Sequence, residues 1–274
     1  MDLTNAQRAL FSPLRQAGRR NTPIVIASIF IAVLLWYGLA RLGSFPAFIL
    51  PAPGQVWDRF VQALSDGSLM FHAATTLSEV LAGLALGVSA ATLLGYLLAR
   101  SRSFERLLSP YIVASQSVPV VAIAPLLVIW FGPGMFSKVL ICALIVFFPV
   151  LINTIVGLRS VPEELNELMR SLQATRWQTF HLLEVPAALP VFLGGLRIGA
   201  TLAVIGAVVG EFIGADQGLG FLINVGRGQY DTALVFVAVF ALVGMALTMY
   251  GLVVWLEGRW LSWQQRPEEI VNIA

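Results

Sequence analysis

Six stretches of this chain run for about twenty residues or more with almost no charge, and that pattern constrains the fold more than any other feature. An α-helix rising 1.5 Å per residue needs about 20 mostly apolar residues to cross the roughly 30 Å hydrocarbon layer of a bilayer. Candidate spans lie at about 22–41, 72–99, 107–131, 135–157, 187–213 and 232–256. Apolar residues make up 58% of the chain and charged ones 12%, too little charge to coat a soluble domain, where about a quarter is usual. The expected class is therefore an all-α integral membrane protein with six transmembrane helices. Pro110, Pro119, Pro125 and Pro149 fall in or beside the third and fourth spans, where each removes a backbone donor.

Positive charge is retained on the cytoplasmic side, so the distribution of Lys and Arg fixes orientation. One side holds Arg8, Arg15, Arg19 and Arg20 in the tail 1–21, then Arg100, Arg102 and Arg106, then Arg159, Arg170 and Arg176, and finally Arg259 and Arg266 in the tail 257–274. The other holds Arg41, Arg59, Arg227 and Lys138, the last placed in a short outer loop. Both termini are expected in the cytoplasm, and the membrane-embedded domain covers 22–256. The first span reads as an uncleaved helix, because the residues after it offer no small-x-small cleavage site before their prolines. The arginines sit beside apolar segments, not on one face, so no nucleic-acid surface is expected. Cys142 is the sole cysteine. It excludes an intrachain disulfide, gives no basis for a Cys-based metal site, and reads as a small buried hydrophobe.

Between the fourth and fifth spans, 158–186 is a long polar insertion on the cytoplasmic side. Pro162 suits the first turn of a helix, and Glu163 and Glu164 suit its positive end. Leu165, Leu168, Met169 and Leu172 then recur at spacings of three and four, which gives one apolar face. A second short helix is expected from Arg176, with Phe180 and Leu183 inward, before Pro186 starts the next span; His181 reads as a surface residue of that helix. The pattern reads as a docking element for a cytoplasmic partner, the plainer alternative being a long solvated loop.

The stretch ELMRSLQATRWQTFHLLEVPAALP resembles the EAA loop of ATP-binding-cassette importer permeases. Glu167 and Pro186 match its pattern, and Ala174, Thr175, Arg176 and Trp177 resemble its usual continuation. Leu168 and Met169 replace the two alanines, and Gln173 stands where glycine is usual. Similar stretches include LPAPGQVW at 50–57, QSVPVVAIAPLLVIWFGPGMFSKVLI at 116–141, FFPVLINTIVGLRSVP at 147–162 and GLRIGATLAVIGAVVGEFIGADQGLGFLI at 195–223. They resemble the branch that handles nitrate, sulfonates, taurine and vitamins. AVVGEFIGADQGLG and TLSEVLAG look most similar to permeases for riboflavin or a pyrimidine precursor of thiamine.

The resemblance implies the type I importer fold with a cytoplasmic coupling-helix pair, in the bacterial cytoplasmic membrane. It also implies a second permease copy in a homodimer, an external substrate-binding protein and a separate ATPase subunit in two copies. ATP and Mg are used by that partner. This chain has no G-x-x-x-x-G-K-[ST], so no phosphate loop and no cofactor of its own are expected. The ATPase-coupling set is Glu167, Leu168, Met169, Arg170, Leu172, Gln173, Arg176 and Pro186. Of these, the apolar residues are expected to matter more to docking than the charges.

Three charges lie inside expected spans, where charge is costly and points to function. Glu79 and Arg197 approach mid-depth from opposite ends of their helices, so an ion pair between them is expected, with contact to a polar solute as the alternative. Glu211 lies near the outer end of its span, placed either at the outer mouth of the path or snorkelling to water. With Phe147, whose ring would stack on a flat heterocycle together with Trp130, Phe131 and Phe148, these form the candidate substrate path. Gly195, Gly199, Ala203, Gly206, Ala207, Gly210 and Gly214 give the fifth span a small-residue face suited to close helix packing, as Gly83 and Gly87 do in the second. Packing within the chain is expected, the alternative being the dimer interface or the gate.

A self-contained secondary transporter would show an inverted repeat or a midplane titratable relay, and neither is visible. An intramembrane enzyme lacks reagents. His72 and His181 are the only histidines, and neither H-E-x-x-H nor G-x-S-x-G occurs.

Overall fold

A computed structural model describes residues 22–43 and 46–261. The tail 1–21, residues 44–45 and residues 262–274, with Arg266, lie outside the described residues. Among those described, the regular structure is entirely helical. Helix α1 is Thr22–Leu42, α2 is Pro53–Ser65, α3 is Ser68–Arg100, α4 is Arg102–Gln116, α5 is Val120–Phe131 and α6 is Met135–Arg159. Then follow α7 (Glu163–Ser171), α8 (Arg176–Thr179), a π-helical turn Phe180–Glu184, α9 (Val185–Phe212), α10 (Leu219–Gly228) and α11 (Thr232–Trp260). Among the described residues, four runs are long and apolar enough to cross a membrane: α3, α6, the continuous run Arg176–Phe212, and α11. The bent pair α4–α5 makes a fifth if counted as one span.

Helix α6 is the centre of the bundle because its neighbours carry no side chain where they meet it. A Cβ on Gly87 of α3 would come 2.8 Å from the Ala143 carbonyl oxygen, and one on Gly83 would fall on the Cys142 Cβ. From the other side, a Cβ on Gly206 of α9 would lie 2.8 Å from the Cys142 Cα, and one on Gly195 would lie 2.5 Å from the Asn153 Cβ. Real Cβ atoms do not approach so closely, so glycine is what lets both helices seat against α6 in a lipid solvent that gives no hydrophobic drive for helix association. Val146, Val150, Ala200, Ala203, Val204 and Ala207 fill the core between them. Cys142 is fully buried there, as expected of a small hydrophobe.

The expected third span, 107–131, is not one straight helix. It is bent by 94° between α4 and α5. Val118 precedes Pro119, which disfavours the helical conformation at Val118, and Pro119 has no N–H to continue the ladder; Pro119 is instead the N-cap residue of α5. A second difference lies at Pro186. The short helix expected from Arg176 does not end before the next span, because the π-turn joins α8 to α9 without a loop. The Val185 N–H donates to the Phe180 carbonyl, five residues back, and this wider turn makes room for the proline ring in the first turn of α9.

On the side opposite the 158–186 insertion, α2 packs its Val56 and Ala63 against α10 and α11. Arg59 Nε donates to Asp231 Oδ2 at 2.7 Å, while Asp231 Oδ1 accepts the Leu234 N–H at 3.0 Å and caps α11. Trp36 of α1 stacks on Phe236 of α11 with centroids 5.2 Å apart and donates its indole N–H to the Pro51 carbonyl.

Candidate functional site

The 158–186 insertion forms a folded surface. Helix α7 ends in a complete Schellman motif: the Ala174 N–H donates to the Met169 carbonyl and the Gln173 N–H to the Arg170 carbonyl, each at 2.9 Å. That closure needs a left-handed residue at Gln173, and Gln173 takes φ +53. The turn usually given to glycine thus forms with glutamine, at a conformational cost of about 1–2 kcal/mol for an L-residue. Thr175 then caps α8 reciprocally with Gln178: its hydroxyl oxygen accepts the Gln178 N–H, and Gln178 Oε1 accepts the Thr175 N–H.

The apolar face of this element is left uncovered. Leu168 and Leu172 are exposed, Met169 is half-buried, and Trp177 is 70% exposed with His181 stacked on it. Glu167, Arg170, Gln173 and Arg176 are also exposed, and Pro186 is half-buried. Beneath the surface Phe180 packs edge-on against Tyr96 of α3 at 5.4 Å, and Arg100 Nη2 donates to Glu184 Oε2 at 3.1 Å. Arg159 forks onto Glu105 with bonds of 2.7 and 2.6 Å. These contacts bind the element to the ends of α3, α4 and α6.

The charges inside the bundle pair differently from expectation. Glu79 does not meet Arg197. Its Oε1 accepts a hydrogen bond from Lys138 Nζ at 2.9 Å, because α6 lies between α3 and α9 and Lys138 is in its first turn, not in an outer loop. Arg197 instead joins Glu257 of α11 and lies over the Tyr250 ring at 5.4 Å. Nor does Glu211 snorkel: it is 0% exposed. Its Oε1 accepts the Thr76 hydroxyl at 2.6 Å and its Oε2 accepts the Gly220 N–H at 2.5 Å. Thr76 Oγ1 accepts the Leu219 N–H at 2.8 Å, and His72 Nδ1 accepts the Gly218 N–H at 3.0 Å. Side chains of α3 and α9 thus take up the first free N–H groups of α10, and the helix's positive end faces a carboxylate.

Gly218 and Gly220 are fitted to that carboxylate. Gly218 holds φ +114, and a Cβ on Gly220 would lie 2.7 Å from Glu211 Oε2, so the G-x-G spacing in DQGLG belongs with Glu211. Phe147 packs into the main core beside Phe148. Gly195, Gly199, Gly206 and Gly210 all face α6 of the same chain, in line with intrachain packing. Lys138, Thr76, His72, Tyr250 and Glu257 were not among the residues marked out by sequence as site candidates. The signal for Lys138 was its place at the head of the run VLICALIVFF, immediately inside a helix start.

A bundle of apolar, glycine-seated spans around α6, with a folded polar element built into one inter-span connection, defines a multi-span membrane protein, and its sequence places it among importer permeases. The chain belongs to the family of binding-protein-dependent transport system inner membrane components, whose pattern matches residues 83–262. It is 48% identical over 237 residues to the riboflavin transport system permease protein RibX of Chloroflexus aurantiacus, covering 86% of this chain and 88% of that one. It is 38% identical over 250 residues to the formylaminopyrimidine transport permease protein ThiX of Halalkalibacterium halodurans, covering 90% and 99%. The fold matches the inward-facing MetNI methionine ABC transporter with a TM-score of 0.59 at 19% identity, over 71% of this chain and 95% of that one. Membership implies a partner that hydrolyses ATP and a binding protein that delivers the solute.

Proposed function

We propose that two copies of this chain form a lipid-embedded path for riboflavin, delivered by an external binding protein and driven by a pair of ATPase subunits that bind ATP and Mg. The observation that carries the substrate is the 48% identity, over most of both chains, to a riboflavin permease. In this reading both termini lie in the cytoplasm, and the surface of Glu167, Leu168, Met169, Arg170, Leu172, Gln173, Arg176 and Pro186 seats in a groove of the ATPase. Closure of the ATPase pair then rocks the spans between two arrangements. Glu79, Arg197, Glu211 and Phe147 act by holding the path-forming helices in register, since each is engaged within the chain. A second reading, import of a pyrimidine precursor of thiamine, draws on the 38% identity to a formylaminopyrimidine permease.

The test is uptake of labelled riboflavin into vesicles holding the permease, its ATPase and its binding protein, with formylaminopyrimidine as competitor. ATP-dependent riboflavin uptake, lost in Glu167→Ala while the chain remains inserted, is the expected result. Uptake of the pyrimidine alone moves the substrate to the second reading. Uptake that persists without the ATPase refutes the importer mechanism.

A further inference from the structure

The cluster of Glu79, Lys138 and Glu211 contains two acidic groups and one basic one, in residues that are 1%, 4% and 0% exposed. With both carboxyls ionised it would hold one uncompensated negative charge in the interior, the arrangement that burial disfavours most. The hydrogen-bond account leaves a gap at the same place. Glu211 Oε2 accepts the Gly220 N–H, and its Oε1 lies 2.6 Å from the Thr76 hydroxyl, nearer than the His72 carbonyl at 3.1 Å that the same hydroxyl also reaches. Glu79 Oε1 accepts the Lys138 ammonium. Glu79 Oε2 is buried and accepts no hydrogen bond, while Thr76, one turn from Glu79 on α3, reaches Glu211 Oε1, and Lys138 packs on Gly210 beside Glu211, which brings both carboxyls into one cluster. An ionised carboxylate has no hydrogen to place there; a carboxylic acid has one.

The other titratable groups around the cluster do not supply the missing charge. His72 on α3 already accepts the Gly218 N–H on Nδ1, and Cys142 on α6 is a buried thiol one turn beyond Lys138. The start of α10 contributes one backbone N–H to Glu211, that of Gly220, and the positive end of that helix favours Glu211 as the charged member.

We propose that this cluster is a proton-binding site: one proton sits on Glu79 Oε2 and is donated to the Glu211 carboxylate, leaving Glu211 and Lys138 as a single balanced pair. Two carboxyls that share a site resolve their repulsion in this way. The proton closes a chain from Lys138 through Glu79 and Glu211 to Gly220, so it latches α6, α3, α9 and α10 together with no net charge in the membrane.

The test is infrared spectroscopy of the permease–ATPase complex in lipid nanodiscs at neutral pH, and it does not depend on which solute is carried. The native complex is expected to show the carbonyl stretch of a protonated carboxylic acid. Glu79→Gln and Glu211→Gln are each expected to remove that band, because the remaining carboxylate then faces Lys138 one to one. Lys138→Met is expected to keep it. Native protein with no such band, or a band that survives both glutamine variants, overturns the proposal. As a second measurement, Glu79→Gln mimics the protonated acid and is expected to keep thermal stability close to native, whereas Glu79→Ala, which breaks the chain of bonds, is expected to lose it. A Glu79→Gln complex as unstable as Glu79→Ala would also overturn it, since an ionised Glu79 is what that loss requires.

Discussion

Adding one methyl group at Gly206 tests whether α9 is seated on α6 as closely as the fold requires. The new Cβ would lie 2.8 Å from the Cys142 Cα and 3.3 Å from its nitrogen, whereas carbon atoms in ordinary contact sit about 3.5–4.0 Å apart. Helix α9 must therefore retreat by about 1 Å. Helix α6 cannot yield in its place, because Gly83 of α3 presses on the Cys142 side chain from the other face. Overpacking of this kind costs about 1–3 kcal/mol. The control is Gly244→Ala in α11, where a Cβ meets nothing within 4 Å; it gains the same helix propensity of about 1 kcal/mol without the clash. The two variants should differ by about 1–3 kcal/mol, which at about 2–4 °C per kcal/mol separates their unfolding temperatures by several degrees. Tryptophan fluorescence of the purified permease on heating measures this. Equal shifts for Gly206→Ala and Gly244→Ala would refute the close seating.

Gln173→Gly should raise the unfolding temperature, because it relieves a left-handed glutamine at φ +53 worth about 1 kcal/mol; no gain would mean that the Schellman closure is absent. Asp231→Ala removes both the α11 cap and the partner of Arg59 and should cost about 1–2 kcal/mol, while Asp231→Asn keeps the cap and should lose less than half of that, as read by denaturation of the two variants side by side. If the proposed coupling role holds, truncating Leu172 or its exposed neighbour Trp177 to alanine should weaken co-purification of the ATPase about tenfold without changing the permease's own unfolding temperature. A lowered unfolding temperature instead would assign these side chains to the permease's own fold.

The extent of the helices was legible in the sequence because length and absence of charge are local properties. The apolar runs of α3, α6, α9 and α11 announce themselves, as does the amphipathic α7. Lateral neighbours are not local. Glu79 reads correctly as a buried charge, but its partner depends on α6 standing between α3 and α9, which no spacing within α3 encodes. Lys138 was placed in an outer loop, GPGMFSKV, although the expected fourth span at 135–157 already held it; the helix does begin at Met135, with Gly134 as its N-cap. Arg197 was matched to the wrong acid for a similar reason: Glu257 lies one residue beyond the apolar run 232–256, while α11 continues to Trp260. The bend at Pro119 was signalled by its prolines, but whether a proline kinks or breaks a span depends on what the neighbouring helices accommodate.

The absence of a loop between α8 and α9 has a mechanical consequence. The run from Arg176 to Phe212 is 37 residues of hydrogen-bonded backbone, a rod of roughly 55 Å with no slack joint in it. Along it Gly195, Gly199, Gly206 and Gly210 bear on α6 one after another, over roughly 22 Å at helical rise. A rod held along that length has no single fulcrum. A push at the Arg176 end therefore moves the run as one piece, carrying Glu211 and the helix it bears on with it, instead of being absorbed at a hinge.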